Sequence, residues 1–472
     1  MRNVKALTAT SLALALAACN MAPKYVRPDL PVPETSPAGP VGGAADATAV
    51  SADTAWKDFF TDPRLARVIQ TALDNNRDLR IALANVEQAR AQYRVQRADL
   101  LPAVGVNGSA TYQDQPFAQQ SSGGTGGVSG RTDIYTASVG VSAWEVDLFG
   151  RVRNLTKAAQ ESYFASVENR NAAQTALIAE TATAWLTMAA DQERLQIARN
   201  LEKAFGQTLD LTKARFSKGI ASELEVRQAQ TSYDQARSDI AAATTQVAQD
   251  KNALDLLAGT SLGAEDLPSN LPETDVTLAN LPAELPSSLL LRRPDIAAAE
   301  HQLIGANANI GAARAAFFPT ISLTAAFGTM SLGLSNLFKS GSDYWSLAPS
   351  ASLPIFDFGK NQGNLRYARA TYDAMVATYE KSVQTGFREV ADALARRATM
   401  SAQLEAQTSL RNAARKSYQL SDARFKAGVD DFLTALDSQR TLYNAEQTLV
   451  ATRLTRASNM VEIYRAIGGG LK

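Results

Sequence analysis

Few residues of this 472-residue chain are placed to do chemistry, and the one whose surroundings specify a reaction is Cys19, the only cysteine. Arg2 and Lys5 supply a positive region, Ala6 to Ala18 an apolar one, and Leu16-Ala-Ala-Cys19 closes it. Small residues before a cysteine form the pattern of a bacterial lipoprotein signal. In that pattern the thiol is diacylated and the cysteine becomes the new N-terminus. The sequence therefore predicts that residues 1–18 are removed, that Cys19 carries a lipid anchor, and that no disulfide forms within the chain. The other inventory of reactive groups is thin. His301 is the single histidine, on a predicted helix, with no second histidine or free cysteine to complete a metal site. No serine nucleophile elbow, phosphate-binding loop or nucleotide-binding glycine fingerprint is present, and Gly123 to Gly130 fall in a polar loop. The expectation is a protein that is not an enzyme, holds no metal or cofactor, and uses His301 for packing or capping.

Charge narrows the classes further. Lys and Arg total 47 and Asp and Glu total 47, leaving no net field and no basic tail for nucleic acid. Pro23 to Ala52 are rich in Pro, Gly and Ala without apolar periodicity, so residues 19–52 are read as a lipidated, extended tether. Beyond the signal no apolar run reaches the roughly 20 residues of a membrane-spanning helix. A mature chain of this kind can cross a membrane only as a barrel.

The elements that position these residues are stated twice. Leu101–Pro102 opens a segment leading to Asp147-Leu-Phe-Gly150 and Ala214-Arg-Phe-Ser-Lys-Gly219; Phe318–Pro319 opens another leading to Asp357-Phe-Gly359 and Ala423-Arg-Phe-Lys-Ala-Gly428. The interval from Gly150 to Gly219 equals that from Gly359 to Gly428, 69 residues in each. A repeat this long is two copies of a structural unit, with pseudo-twofold internal symmetry, rather than a solenoid. The first copy is placed at 53–290 and the second at 291–472, with a proline- and leucine-rich linker at 260–290.

Four segments alternate with period two, near 103–113, 134–144, 320–328 and 344–353. Val104, Val106, Ala110 and Tyr112 oppose Gly105, Asn107, Ser109 and Thr111. Tyr135, Ala137, Val139, Val141 and Ala143 oppose Thr136, Ser138, Gly140 and Ser142. Ile321, Leu323, Ala325 and Phe327 oppose Thr320, Ser322 and Thr324, and Trp345, Leu347, Ala351 and Leu353 oppose Ser346, Ser350 and Ser352. Strands of about ten residues with aromatic ends suit a tilted membrane barrel. Polar loops join them at 113–133 and 329–343, and Pro349 predicts a bulge or bend. Four strands cannot close a barrel, whose smallest membrane forms have about eight, so the chain must oligomerise.

After Gly150 no proline occurs until Pro268, and none follows Gly359 to the end. A helix from Lys360 to Lys426 would rise roughly 100 Å, with Gly386 as a local weakness. Val226, Ala229, Tyr233, Ala236, Ile240, Ala243, Val247, Leu254 and Leu257 step by three and four along a coiled-coil seam, interrupted by Asp250. Gly219 can end one helix, and Ser222 with Glu225 forms a capping box that starts the next. Gly428, Asp430 and Asp431 repeat the arrangement, which predicts hairpin tips near 215–224 and 424–433.

From Trp56-Lys-Asp-Phe-Phe60 through Trp144-Glu-Val-Asp-Leu-Phe-Gly150 and Leu291-Arg-Arg-Pro-Asp295 to Tyr464, the chain resembles the TolC-type outer-membrane channel family, in its lipid-anchored OprM- and NodT-like branch. The resemblance implies a homotrimer in which each chain gives four strands to one twelve-stranded transmembrane β-barrel and its long helices to a periplasmic α-barrel. Asn20 after the cysteine, by similarity to sorted lipoproteins, favours the outer membrane. The same resemblance implies that the tips, with Arg215, Gly219, Ser222, Leu224, Gly428, Asp430 and Asp431, meet a periplasmic adaptor. It implies a gate with Leu433 and Asp437 facing the axis, Arg424 pairing with an unspecified carboxylate, and Phe425 where close relatives often carry tyrosine. Leu224 and Gln228 are the first-half counterparts of Leu433 and Asp437, so the charge is not repeated. Three aspartates around an axis would repel and favour cations. The implied function is a passive, gated conduit of a tripartite pump that exports drugs or other toxic small molecules, energised by an inner-membrane partner of the proton-driven RND type. A type I protein-secretion channel and a non-conducting envelope tether are the alternatives. Small polar residues on one face of every strand favour a water-filled lumen over the tether.

Overall fold

The computed structural model describes residues 20–35, 54–115, 130–272, 276–277 and 287–469. Cys19, residues 36–52 and the glycines of 123–129 lie outside them. The elements in order are α1 (Trp56–Phe59), α2 (Pro63–Asn75), α3 (Arg77–Ala98), β1 (Val104–Gln115), β2 (Gly130–Glu145), α4 (Arg151–Ser217), α5 (Glu223–Ala258), α6 (Pro294–Ala315), β3 (Thr320–Ser331), β4 (Asp343–Ser352), α7 (Lys360–Lys426) and α8 (Phe432–Ala466). The two long helices α4 and α7 have 67 residues each, and β1 and β3 have 12 each. Two compact units are present, one of residues 1–28, 86–166 and 299–379, the other of 29–85, 167–298 and 380–472.

The first unit holds one antiparallel sheet in the order β1-β2-β3-β4, with β1 and β4 at its edges. Its register carries the alternation across all four strands: Val106 faces Val139, Val139 faces Phe327 and Phe327 faces Trp345. This makes one apolar face, on which Val106 and Trp345 are 82% and 75% exposed. The opposite face is small and polar, tied by Ser109 to Thr136 at 2.6 Å and Ser322 to Ser350 at 2.7 Å. Gly328 allows the close approach of β2, since a Cβ there would lie 2.1 Å from the Ala137 carbonyl oxygen.

Two strand features differ from the sequence reading. Pairing reaches Gln115 and begins again at Gly130, so the first loop is shorter than 113–133; β3 likewise runs past Thr329 to Ser331. Pro349 produces no bulge: within one chain β4 is paired on one side only, and Pro349 keeps continuous register with Leu323. The irregularity is instead on β2 between Val141 and Trp144, where Ala143 takes φ 50°.

Two aspartates start the long helices. Asp147 accepts from the Arg153 amide at 2.8 Å, and Asp357 accepts from the Gly359 and Asn361 amides at 2.9 and 3.0 Å. The Asn361 and Gly359 N–H groups hold the Asp357 carboxyl below the usual range. Residues 20–28 carry no helix or strand, yet they are bound along α6. Pro23 O accepts from Asn307 at 2.9 Å, and Glu300 takes Arg27 at 2.6 and 2.9 Å and the Tyr25 hydroxyl at 3.2 Å. Asn20 accepts from Asn154 at 2.8 Å, at the start of α4.

In the second unit the seam residues of α5 are its least exposed, with Ala229, Ala236 and Leu254 buried. Asp250, which interrupts the apolar seam, is buried as well. Gly386 leaves α7 unbroken. It makes room for Arg293, whose guanidinium would lie 3.4 Å from a Cβ at that position. Arg293 bonds Asp295 and Glu389, each at 2.8 Å, and the Ala466 carbonyl at 3.0 Å. Burial opposes its charge, and the two carboxylates outweigh that burial.

Candidate functional site at the hairpin tips

Each tip is a left-handed turn between a long helix and its return helix. Gly219 and Gly428 both take φ 74°, a conformation that only glycine adopts without strain. The Ile220 amide donates to Arg215 O at 2.9 Å, and the Val429 amide donates to Arg424 O at 2.9 Å, so the two turns close the same way. Ser222 and Glu225 form the capping box, the Glu225 amide donating to Ser222 Oγ at 3.2 Å and the Ser222 amide to Glu225 Oε2 at 2.7 Å. At the second tip Asp431 caps α8, accepting from the Thr434 amide at 2.8 Å.

The carboxylate that Arg424 meets is Asp430, six residues away, through Nε at 2.6 Å and Nη2 at 2.7 Å. That bond holds the Asp430 carboxyl below the usual range, and bonding to Thr434 does the same for Asp431. The ion pair is thus local to the turn and braces it.

Phe425 points into the tip's core, 5% exposed, among Phe205 and Leu209 of α4, Ala229 and Ala236 of α5, and Phe432, Ala435 and Leu436 of α8. Its ring is 5.7 Å from that of Phe432, and the Arg215 guanidinium stands 4.9 Å over it. One apolar cluster therefore holds both hairpins together. A hydroxyl on this ring would enter that cluster, which accounts for phenylalanine as a well-packed residue here. The sequence did not announce the role of Arg215 in the core; its cation–π contact with Phe425 spans the two hairpins.

Leu433 and Asp437 lie one helical turn apart on the exposed face of α8. Leu433 is 53% exposed, Leu224 66%, and Ile220 and Val429 are similarly open. Gln228, the counterpart of Asp437, is half-buried. The tips thus carry a buried aromatic core and an outer rim of unpartnered apolar side chains.

A second polar feature lies higher on the seam. Asp250 of α5 accepts from Gln246 at 2.9 Å through one oxygen, while its other oxygen is shielded and unpartnered. Burial pushes this carboxyl up, with nearby Asp191 of α4 adding to it and Gln246 opposing. The heptad pattern locates Asp250 on the seam, but nothing local shows that a second carboxylate faces it. His301 in the other unit is packed, its Nδ1 2.6 Å from Glu161 and its ring against Phe164. Among the described residues no cluster of His, Cys, Asp and Glu is arranged to hold a metal, and no helix is long and apolar enough to cross a membrane.

Residues 68–260 and 285–469 match the family model described as outer membrane efflux protein. The chain belongs to the outer membrane efflux protein family. Two relatives from Pseudomonas putida, the toluene efflux pump outer membrane protein TtgC and the antibiotic efflux pump outer membrane protein ArpC, are each 44% identical over 459 residues, covering 97% of this chain and 94% of theirs. The structure is similar to that of the open state of the Neisseria gonorrhoeae MtrE outer membrane channel, with a TM-score of 0.85, 38% identity, and coverage of 96% of this chain and 99% of that one. The match covers most of both repeats, and the fold is that of an outer-membrane efflux channel.

Proposed function

We propose that this family member is the outer-membrane conduit of a tripartite pump that exports small toxic molecules. The observation that carries the reading is the four-stranded sheet with one exposed apolar face, one small polar face and two unpaired edges. In hydrocarbon each open backbone group costs several kilocalories per mole, so β1 and β4 must pair with other copies. A homotrimer closes twelve strands with the apolar face toward lipid and the serine- and glycine-lined face around water. Conduction through such a lumen needs no chemistry from the subunit, which is consistent with a role outside catalysis.

Cys19 carries the lipid anchor, one residue before Asn20, which is held at the base of α4 beside the end of the sheet. The apolar rim of Ile220, Leu224 and Val429 on the turns braced by Gly219, Ser222, Gly428, Asp430 and Asp431 is the surface offered to a periplasmic adaptor. Leu433 and Asp437 form the constriction, Arg424 stiffens its turn through Asp430, and Phe425 and Arg215 lock the two hairpins behind it. The inner-membrane partner is of the proton-driven RND type. The names of TtgC and ArpC, a toluene and an antibiotic pump protein, support apolar and amphipathic small molecules as cargo.

The test is intracellular accumulation of lipophilic dyes and antibiotics in a deletion strain, with and without the gene restored. Raised accumulation that the gene reverses is expected. Unchanged accumulation with loss of a secreted protein would refute small-molecule efflux in favour of secretion.

A further inference from the structure

The second unit contains a cavity of about 510 Å³ between α4, α7, α8 and the linker residues Leu271, Pro272 and Val276. Its wall is basic, with Arg411, Arg415, Arg453 and Arg456 against Glu193 and Glu446. Both carboxylates are already engaged. Glu193 accepts from Arg453 at 2.7 Å and from the Leu271 amide at 3.3 Å, and Glu446 accepts from Arg415 at 2.7 Å. Arg453 also donates to the Leu271 and Pro272 carbonyls at 2.9 and 3.2 Å, so it belongs to the scaffold that fixes the linker.

Arg411 differs from these. Its Nε is shielded from solvent and has no hydrogen-bond partner. Gln407 Oε1, one helical turn earlier on α7, is likewise shielded and unpartnered, so the two do not meet. A guanidinium N–H removed from water without an acceptor is a standing cost to the fold. A planar oxyanion placed in the cavity would remove that cost, because carboxylate and phosphate oxygens match the guanidinium fork. Leu186, Ile197, Leu404 and Leu449 supply an apolar side to the same space. The volume lies within the range of small-ligand sites.

We propose that this cavity binds a small organic oxyanion, its carboxylate or phosphate on Arg411 and its body against the apolar wall. Such a ligand lies between α7 and α8 and ties the return helix to the long one, independently of whatever passes along the channel.

The probes are phenyl phosphate and benzoate, titrated calorimetrically into the purified full-length protein in detergent at fixed ionic strength. Inorganic phosphate, which lacks the body, and benzyl alcohol, which lacks the charge, are the comparisons. Saturable binding of at least one organic anion, tenfold or more tighter than either comparison, is expected. Arg411→Gln should weaken it at least tenfold while leaving the melting temperature unchanged or higher, and Thr408→Phe, which fills the cavity, should abolish it. Absence of binding, equal binding of inorganic phosphate, or an affinity unchanged in Arg411→Gln would overturn the proposal. So would a melting temperature lowered in Arg411→Gln, which would make Arg411 a structural donor instead.

Discussion

Replacing Phe425 by alanine should loosen both hairpin tips together. The ring is 5% exposed and packs against residues of the other three tip helices, so its removal deletes buried apolar surface and leaves a cavity. Truncations of this kind cost about 3–5 kcal/mol. Loss of the Arg215 contact at 4.9 Å adds about 0.5–1 kcal/mol. A local loss of about 3 kcal/mol multiplies the open population roughly a hundredfold, because about 1.4 kcal/mol is a factor of ten. The assay is amide hydrogen exchange of the intact protein in detergent, read on peptides covering 215–224 and 424–433. Exchange in both should accelerate by about two orders of magnitude, while the strands of the sheet are unaffected and Leu433→Ala, at an exposed position, changes little. Phe425→Ala exchanging like the wild type in both tips would mean that the caps and the Arg424–Asp430 pair hold the turns, and the reasoning from the aromatic core would fail.

Other perturbations probe other parts of the molecule. Asp250→Asn should raise the thermal midpoint at pH 7: a carboxyl raised by burial and by Asp191 disfavours the native state as pH climbs from the unfolded value of about 4 through the folded one. The substitution should flatten that decline, and a variant that is less stable than wild type at both pH 4 and pH 7 would contradict it. Gly328→Val should block accumulation in the outer membrane, because its Cβ would collide with the Ala137 carbonyl; a membrane yield equal to wild type would refute the packing argument. Ser222→Ala removes one cap worth about 1 kcal/mol and should speed exchange several-fold at the first tip only, an effect absent if the capping box is incidental. Asp437→Ala should raise conductance in planar bilayers if this carboxylate lines the constriction, and conductance equal to wild type would remove it from the gate.

Much of the architecture was legible because it follows from short-range pattern. Period-two alternation marked the strands, the absence of proline marked helices that do extend over 67 residues, and glycine followed by Ser222 or Asp431 marked both turns. Each of these depends on backbone preferences and neighbours within one turn or one pleat, so the sequence by itself determines them. It also determined, through the shared 69-residue interval, that the two halves are built alike.

The tertiary structure decided which side of an element is filled and by whom. The family resemblance puts Phe425 at the gate, and only the meeting of four helices buries it. Asp250 reads as a break in the seam until Asp191, 59 residues earlier, is brought against it. Gly386 reads as a weak point until Arg293 occupies the space it leaves. The Pro- and Ala-rich N-terminal residues read as a free tether, yet Glu300 and Asn307 hold residues 20–28 in place. Pro349 reads as a bend, yet it keeps continuous register with Leu323 of β3. In each case the deciding partner is distant in sequence, and side-chain packing and hydrogen bonding between distant segments leave no periodicity for a local reading to find.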